Sequence, residues 1–247
     1  MKPRMLDLFC CEGGAGEGYA RAGFDVTGVD VIAQPRYPYR FHRGDASNWS
    51  LAGFHAVHAS PPCEDHSVTM GFGLADRGTG WLLPHTIARL RASGLPFVVE
   101  NVVSRATRAH MPGAFTLCGS MFGLGAHDSR GRYRILKRHR LLLTSFPVTG
   151  IPPCTCRGQL VGGIYGHGEQ GVNGGRGYGF AAAAAREALQ MPWASRDGCA
   201  EAIPPAYTEF IGSQLLKTIS AGPGLSGADP RDGATDSGSD QSNVEGE

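Results

Sequence analysis

The beginning of the chain constrains the fold most strongly, because it reads as a strand, a glycine-rich turn and a helix in immediate succession. Residues Arg4 to Phe9 form an apolar run that predicts a buried strand, and the turn Cys10–Gly18 that follows contains four glycines. The stretch Tyr19–Ala22 predicts a helix. Glycines let the backbone approach a ligand closely, and a helix start points its amide groups at that ligand. A glycine-rich turn alone is equally compatible with a plain tight turn, and this one lacks the spacing of the dinucleotide fingerprint.

Two acids follow at positions suited to a nucleoside. The run Asp25–Asp30 predicts a second strand that ends in Asp30. An acid at the end of this strand can accept hydrogen bonds from both ribose hydroxyls of a nucleoside-containing cofactor. Asp45, after Gly44, is placed to meet an adenine amino group, although an acid after glycine is also an ordinary turn residue.

The alternation of strand, turn and helix predicts an α/β fold with a Rossmann-like, doubly wound sheet. In such a sheet the carboxyl ends of neighbouring strands form the ligand crevice, so we expect the functional side chains there. Further along the chain, apolar patterns predict strands at Ala56–Ala59, Phe97–Val99 and Leu141–Leu143, and helices at 81–95, 181–189 and 205–216.

Two of these strands end in residues that can act as a nucleophile and an acid. Ala56–Ala59 runs into Ser60-Pro61-Pro62-Cys63, and Glu100 follows Phe97–Val99, 37 positions after Cys63. A thiolate can add reversibly to an electron-poor, aromatic-like ring, and a carboxylic acid can stabilise the charge that develops. Taken singly, Cys63 is equally compatible with a small buried hydrophobe and Glu100 with a solvated loop acid. His66 also allows a Cys/His hydrolase, but no oxyanion-hole or orienting-acid pattern accompanies it.

Taken together and in their order, these motifs resemble the DNA cytosine-5 methyltransferase family over residues 4–216. Asp7-Leu8-Phe9 with Gly13-Gly14 is similar to the first cofactor motif of that family. Pro62-Cys63 is similar to its nucleophile motif, and Glu100-Asn101-Val102 to the motif whose glutamate contacts the cytosine N3 and amino edge. Arg138-His139-Arg140 after Leu117–Leu124 is similar to the motif whose second arginine holds the cytosine O2. Arg186–Gln190 is similar to a shortened form of the penultimate motif. Ala202–Tyr207 with Ile211-Gly212 is similar to the final motif, which completes the cofactor pocket.

The resemblance implies the class I S-adenosyl-L-methionine-dependent methyltransferase fold, with a short loop-rich target-recognition insertion. It also implies methyl transfer from S-adenosyl-L-methionine to C5 of a flipped-out cytosine in double-stranded DNA, with Cys63 adding to C6 while Glu100 shares a proton with N3. A base inside a duplex cannot be reached, so such enzymes extrude it. The implied catalytic residues are Cys63, Glu100, Asn101, Arg138 and Arg140, and the implied cofactor-binding residues are Asp7, Phe9, Gly13, Gly14, Asp30, Asp45, Pro62 and Glu201.

Several positions depart from the family pattern, and they cluster around the expected site. Cys11 replaces the first glycine of the cofactor turn, and Glu64-Asp65-His66 replaces the residues usually found after the nucleophile. Leu136 and Glu201 stand where the family has glutamine and asparagine. We expect activity to survive these changes, because every position with a direct chemical role is intact.

The part of the chain expected to read DNA is short. Residues 144–180 are rich in glycine and proline and have little apolar periodicity, which predicts a compact insertion that contacts few base edges. Residues 66–80 match the mobile loop that closes on DNA in the family, and their glycines suit a hinge. The candidate nucleic-acid contacts are Ser67, Arg157, His167, Arg176 and Tyr178.

The cysteine spacing predicts no metal site. Cys154 and Cys156 with His167 suggest zinc, but structural zinc sites usually show two closely spaced pairs of ligands and only one is present. Four other cysteines are expected to be packing residues, namely Cys10, Cys11, Cys118 and Cys199.

Charge and composition agree with one domain over residues 1–220 and a separate tail. The 247 residues allow one sizeable α/β core. The tail, 221–247, has six acids and one base, and we expect it to be disordered. The body therefore carries 22 basic and 16 acidic residues, which suits a phosphate backbone. Seven cysteines without paired spacing, and no signal peptide or membrane segment, favour a reducing cytoplasm, and no obligatory protein partner is evident.

Three functions remain open from the sequence. The first is a DNA cytosine-5 methyltransferase, and the second is the same chemistry on RNA or on a free cytosine nucleotide. The third is a catalytically silent nucleic-acid or cofactor binder. The short insertion leaves the second open, and the altered residues after Cys63 suggest the third.

Overall fold

The computed structural model describes residues 1–62, 78–164 and 179–221. The predicted nucleophile Cys63 lies outside these ranges together with Glu64–Ser67. So do His167, Arg176 and Tyr178 and the acidic tail beyond 221. The expectations for these residues, including the loop expected to close on DNA, therefore stay predictions.

The larger sheet of the described residues has seven strands. From one edge to the other they are β3 (Arg40–Arg43), β2 (Asp25–Asp30), β1 (Arg4–Leu8), β4 (Ala56–Ala59), β5 (Phe97–Val102), β9 (Arg140–Thr144) and β6 (Phe115–Leu117).

The sheet is parallel from β3 to β5 and becomes antiparallel at β9 and β6. The chain builds β1, β2 and β3 outward in one direction and then returns to add β4 and β5 on the other side of β1. The strand order therefore reverses between β1 and β4, which is where a doubly wound sheet opens a ligand crevice at the carboxyl ends of its strands.

Six helices are described, and they cover both faces of the sheet. They are α1 (Gly14–Ala22), α2 (Leu82–Ser93), α3 (Arg105–His110), α4 (Ala182–Leu189), α5 (Arg196–Glu201) and α6 (Pro205–Ala221). On one face, Tyr19 of α1 packs with Tyr207 and Ile211 of α6, and on the other Leu83 and Leu90 of α2 pack under the strands. The strands β1, β2, β4 and β5 are thus buried from both sides, whereas the edge strand β3 is mostly exposed.

Glycines allow α1 and α6 to lie unusually close together. A Cβ atom at Gly18 would collide with the Pro205 carbonyl oxygen and the Thr208 hydroxyl. A Cβ atom at Gly212 would lie 2.8 Å from that of Ala22. This close packing brings the last helix, and the segment before it, back to the glycine-rich turn at the start of the chain.

A smaller sheet holds β10 (Val161–Gly162), β8 (Tyr133–Leu136) and β7 (Gly125–His127), after a 3-10 turn at Gly119–Phe122. The sequence did not predict this sheet, because its strands are short and only partly apolar. The predicted helices are found as α2, α4 and α6, and the strand at 141–143 as β9. None of the helices in the described ranges has the length and apolar character needed to span a membrane.

Candidate active site

The turn after β1 has a backbone conformation that side chains rarely adopt. Phe9, Cys11 and Gly13 have φ angles of 57°, 44° and 85°, all in the left-handed region. Only glycine adopts this region without steric cost, and non-glycine residues held there are often found at ligand sites. The turn is closed by a hydrogen bond from the Gly13 amide to the Cys10 carbonyl at 3.0 Å.

Asp30, at the end of β2, connects this turn to the neighbouring strand. Its carboxylate accepts hydrogen bonds from the backbone amides of Cys11 at 3.0 Å and Ile32 at 2.9 Å, and its side chain is nearly buried. A carboxylate has about four acceptor positions, so two remain for a ligand. The Gly44 amide donates to the Asp30 carbonyl at 2.9 Å, which brings the exposed Asp45 to the same edge.

Two apolar side chains beside Asp30 were missed by the sequence reasoning. Val31 and Ile32 are 64% and 66% exposed although they directly follow a buried strand. An exposed apolar pair next to the acid offers a surface on which a planar base can lie. The signal was available in the sequence, since two β-branched residues continue an apolar run past the residue at which the strand ends.

Asp7 is different from the other predicted cofactor residues, because it is fully buried within β1. The Tyr37 hydroxyl donates to its carboxylate at 3.0 Å. Burial raises the pKa of Asp7 to about 8, against the Tyr37 hydrogen bond, which lowers it, and with a smaller raising effect of the Asp30 charge. Asp7 therefore lies beneath the turn and supports it.

Gly13 and Gly14 are tightly enclosed by distant parts of the chain. A Cβ atom at Gly13 would lie 2.8 Å from Pro38, and one at Gly14 would collide with the Ile203 carbonyl oxygen. The carboxylate of Glu201 interacts with the Cys11 thiol, and burial raises the pKa of both groups. The segment before α6 thus lies against the turn, where the sequence predicted that it would complete a pocket.

A second group of the predicted site residues lies at the ends of β4 and β5. Glu100 is 6% exposed, and its Oε1 lies 2.9 Å from Nε of Arg140, the first residue of β9. Burial raises the pKa of Glu100, while the Arg140 and Arg138 charges and a hydrogen bond from Ser60 act to lower it. The pair is held in place by the antiparallel register, in which Arg140 is opposite Val102.

Asn101 fixes the loop that leads towards the predicted nucleophile. Its side-chain amide donates to the Pro61 carbonyl at 3.0 Å, and its side-chain oxygen accepts from the Val102 amide at 2.9 Å. Asn101 is 2% exposed, so these contacts are shielded from water. The half-buried Pro62 and then Cys63 follow Pro61 directly in the sequence.

A buried chain of hydrogen bonds runs from α1 to Glu100. The Tyr19 hydroxyl lies 3.0 Å from Nδ1 of His58, and Nε2 of His58 lies 2.9 Å from the Ser60 hydroxyl, which bonds Glu100. Burial lowers the pKa of His58 to about 3, so the ring is neutral and offers one donor and one acceptor. With Tyr19 donating to Nδ1, His58 donates to Ser60 and Ser60 donates to Glu100. The sequence reasoning did not identify His58 or Tyr19 as parts of the site.

Arg138 has a different environment from Arg140. It is fully buried, and its guanidinium donates to the carbonyl oxygens of Ala202 at 2.7 Å, Ala200 at 2.7 Å and Ile164 at 3.2 Å. These contacts fasten the segment before α6 to the strand that carries Arg140.

Among the remaining predicted residues, Arg157 is exposed in the loop after β9, and Leu136 is buried in β8.

The two groups meet at one edge of the sheet. Leu8 pairs with Ala59 and Ala59 pairs with Val99, so the residues that follow, Phe9, Ser60 and Glu100, are neighbours at the carboxyl ends of three strands. The crevice is therefore lined on one side by the glycine-rich turn and Asp30. On the other side it is lined by Glu100, Arg140 and the start of the loop to Cys63.

In sequence, the chain matches neither a protein-family model nor a curated protein. Solved structures match it in fold. A DNA modification methyltransferase, as its description names it, encoded within a prophage of E. coli, is 15% identical with a TM-score of 0.54, over 89% of this chain and 100% of that one. The S. pombe Dnmt2 methyltransferase is 11% identical with a TM-score of 0.55, over 89% and 99%. The Entamoeba histolytica methyltransferase EhMeth is 9% identical with a TM-score of 0.50, over 89% and 98%.

Identities this low show a shared fold. The mixed sheet with helices on both faces is that of class I S-adenosyl-L-methionine-dependent methyltransferases, so the predicted fold class is confirmed. The resemblance found in the sequence motifs is accompanied by a likeness in fold to methyltransferases that span almost the whole described chain.

Proposed function

We propose that the protein transfers a methyl group from S-adenosyl-L-methionine to C5 of cytosine in DNA. The observation that carries the proposal is the buried pair of Glu100 and Arg140, 2.9 Å apart, on the same sheet edge as the glycine-rich turn. A carboxyl group and a guanidinium side by side match the N3, amino and O2 edge of a cytosine. The adjoining loop leads to Cys63, the nucleophile that the sequence motif predicts.

The residues at the turn fit the proposed cofactor. Asp30 has acceptor positions left for the ribose hydroxyls, Asp45 suits the adenine amino group, and Ile32 offers an apolar surface to the adenine ring. The turn holds left-handed residues where a backbone must pass close to a ligand. S-adenosyl-L-methionine would supply an electrophilic methyl group.

The chain itself would activate the base. The Cys63 thiolate forms a bond to C6, and the electrons of the C5–C6 double bond move towards N3, where Glu100 provides a proton. Arg140 holds O2 through its guanidinium and keeps Glu100 oriented. When C5 has been methylated, it gives up its proton to a solvent water molecule, the electrons of that C–H bond restore the C5–C6 double bond, Cys63 leaves as thiolate, and N3 returns its proton to Glu100.

The pKa of Glu100 is suited to this proton transfer. Burial raises the pKa of its carboxyl above the ordinary value, which favours a protonated acid that can donate to N3. The hydrogen-bond chain through His58 and Ser60 holds the carboxyl group in place.

The proposal is tested with labelled S-adenosyl-L-methionine and unmethylated duplex DNA, followed by sequencing for 5-methylcytosine. We expect label at cytosine C5 with the wild type, none with Cys63→Ala, and full activity with Cys199→Ala, a cysteine in α5. Label on RNA or on a cytosine nucleotide, with none on the duplex, would assign the same chemistry to another substrate. Cofactor binding without transfer to any of the three would overturn the proposal in favour of a binding protein.

Glu100→Gln is the sharper test of the acid. Glutamine keeps the shape and can still donate a hydrogen bond, but it cannot transfer a proton. We expect turnover to fall by a factor of about 10² to 10⁴, as for loss of a general acid, with cofactor affinity unchanged. The control is Glu187→Gln, an exposed glutamate of α4, which should retain wild-type turnover. A Glu100→Gln variant with more than about half of wild-type turnover would contradict the assigned role.

A further inference from the structure

Four metal-binding side chains that are far apart in the sequence meet at one point of the structure. They are Cys118, His139, Cys154 and Cys156, and their ligand atoms all lie within 4.8 Å of one another. The Sγ atoms of Cys154 and Cys156 are 3.4 Å apart, and Nε2 of His139 lies 3.5 Å from the first and 3.6 Å from the second. All three cysteines are free thiols.

These distances match a tetrahedral zinc ion. With Zn–S bonds of about 2.3 Å and a Zn–N bond of about 2.0 Å, tetrahedral angles place neighbouring ligand atoms about 3.5 to 3.8 Å apart. The separations among the ligand atoms of Cys154, Cys156 and His139 fall at or just below this range. Three sulfurs and one imidazole are also a ligand set that structural zinc sites commonly use.

Ordinary packing does not explain the cluster. Cys118 and Cys156 are buried, as cysteines usually are, but Cys154 is exposed and His139 is half-buried, and both turn towards the same point. A disulfide between Cys154 and Cys156 would use two of the thiols and leave Cys118 and His139 without a role.

The surroundings hold the ligands in place in the way that known metal sites do. The Ser120 hydroxyl lies 3.4 Å from the Cys154 sulfur and accepts a hydrogen bond from the Thr155 amide at 3.2 Å. Partners of this kind orient the ligands around a metal.

We propose that Cys118, His139, Cys154 and Cys156 bind a structural Zn²⁺ ion. The ion joins the end of β6 and the approach to β9, which are neighbours in the sheet, to the loop after β9. His139 lies between Arg138 and Arg140 in the sequence, so the metal also fixes the strand that presents Arg140 to Glu100. This site does not depend on the reaction proposed above.

The first experiment measures zinc in the full-length protein, purified without chelators, by mass spectrometry of the metal content. We expect about one zinc per chain, and loss of most of it in Cys154→Ser and in His139→Ala. The matched control is Cys199→Ser, a cysteine of α5 away from the cluster, which should keep its zinc. Equal loss in the control would contradict the assignment of these ligands.

A second measurement uses only the wild-type protein, so its outcome does not depend on whether the variants fold. A mercurial reagent is added stepwise to the wild-type protein in the presence of a zinc-sensitive dye. We expect zinc release to follow modification of the cluster thiols, and Co²⁺ bound in place of zinc to give the intense visible absorption of tetrahedral thiolate sites. The proposal is overturned if the wild type, dialysed against zinc chloride, retains less than about 0.1 zinc per chain, or if Cys154 and Cys156 are found joined by a disulfide.

Discussion

The two sides of the crevice are built in different ways. The proposed cofactor side (the glycine-rich turn and Asp30) consists of parallel strands, a turn and a helix that follow one another in the sequence, and backbone groups make many of its contacts. The proposed base side (Glu100, Arg140 and the start of the loop to Cys63) contains the antiparallel pair of β5 and β9, and long side chains hold it together across wide sequence separations, such as the 64 residues between Arg138 and Ala202. Local sequence therefore specifies the strand, turn and helix of the first side, against which the distant segment before α6 then packs. The second side depends throughout on residues that meet only after folding.

Among the substitutions that test this comparison, one at Arg138 is expected to change the stability of the protein most. In Arg138→Met, three buried carbonyl oxygens lose a charged donor, and we expect the free energy of unfolding to fall by about 3 to 5 kcal/mol. The control is Arg91→Met, an exposed arginine of α2, which should change stability by less than about 0.5 kcal/mol. Urea denaturation followed by circular dichroism measures both. Similar values for the two variants would mean that side-chain contacts do not hold the base side together.

The same difference explains what the sequence could predict. The strands before Phe9, Ser60 and Glu100 are largely apolar and end in polar or turn residues, so the sheet could be predicted, together with the edge at which a site is expected. The contacts of Arg138 were not, because nothing near it in the sequence marks the carbonyls that it binds.

The proximity of Cys118 and His139 was not predicted from the sequence for a related reason. Sequence spacing identifies zinc ligands only when they come in close pairs. The insertion of β9 between β5 and β6 brings together ligands that are widely separated along the chain.

Asp7 gives the cofactor side a distinctive dependence on pH. Its pKa is about 8 in the folded protein and 3.8 ordinarily, so the folded state holds a proton that the unfolded state has lost, and stability falls as pH rises between these values. His58, with a folded pKa of about 3 against 6.5, acts in the opposite sense but only below pH 6.5. The lowered pKa of Cys154, about 6, also acts in the opposite sense between about pH 6 and 9, so the fall due to Asp7 is measured from about pH 6.5 to 8 as a difference between the wild type and an Asp7 variant.

In this window we expect the unfolding free energy of the wild type to fall by about 2 kcal/mol more than that of Asp7→Asn. The raised pKa values of Glu100 and Glu201 act with the same sign as Asp7 and are common to both proteins, so they cancel in the difference. Asp25→Asn, at the exposed start of β2, is the control and should keep the wild-type slope. Urea denaturation at several pH values measures the slope of the unfolding free energy against pH. The same slope in the wild type and in Asp7→Asn would show that Asp7 is ionised in the folded protein.

The smallest expected effect is also on the cofactor side, at Cys11. A φ angle of 44° destabilises the folded state by about 1 to 2 kcal/mol for a residue other than glycine. Glycine avoids this strain, but its greater freedom in the unfolded chain cancels part of the gain in stability. We expect Cys11→Gly to raise the free energy of unfolding by about 0.5 to 1 kcal/mol, measured by urea denaturation. Cys11→Ala also removes the thiol but keeps the strained backbone, so it should bring no gain. If Cys11→Ala stabilised the protein as much as Cys11→Gly, the destabilisation would come from the thiol beside Glu201 and not from the backbone. A side-chain contact would then limit stability on the cofactor side, as side-chain contacts do on the base side.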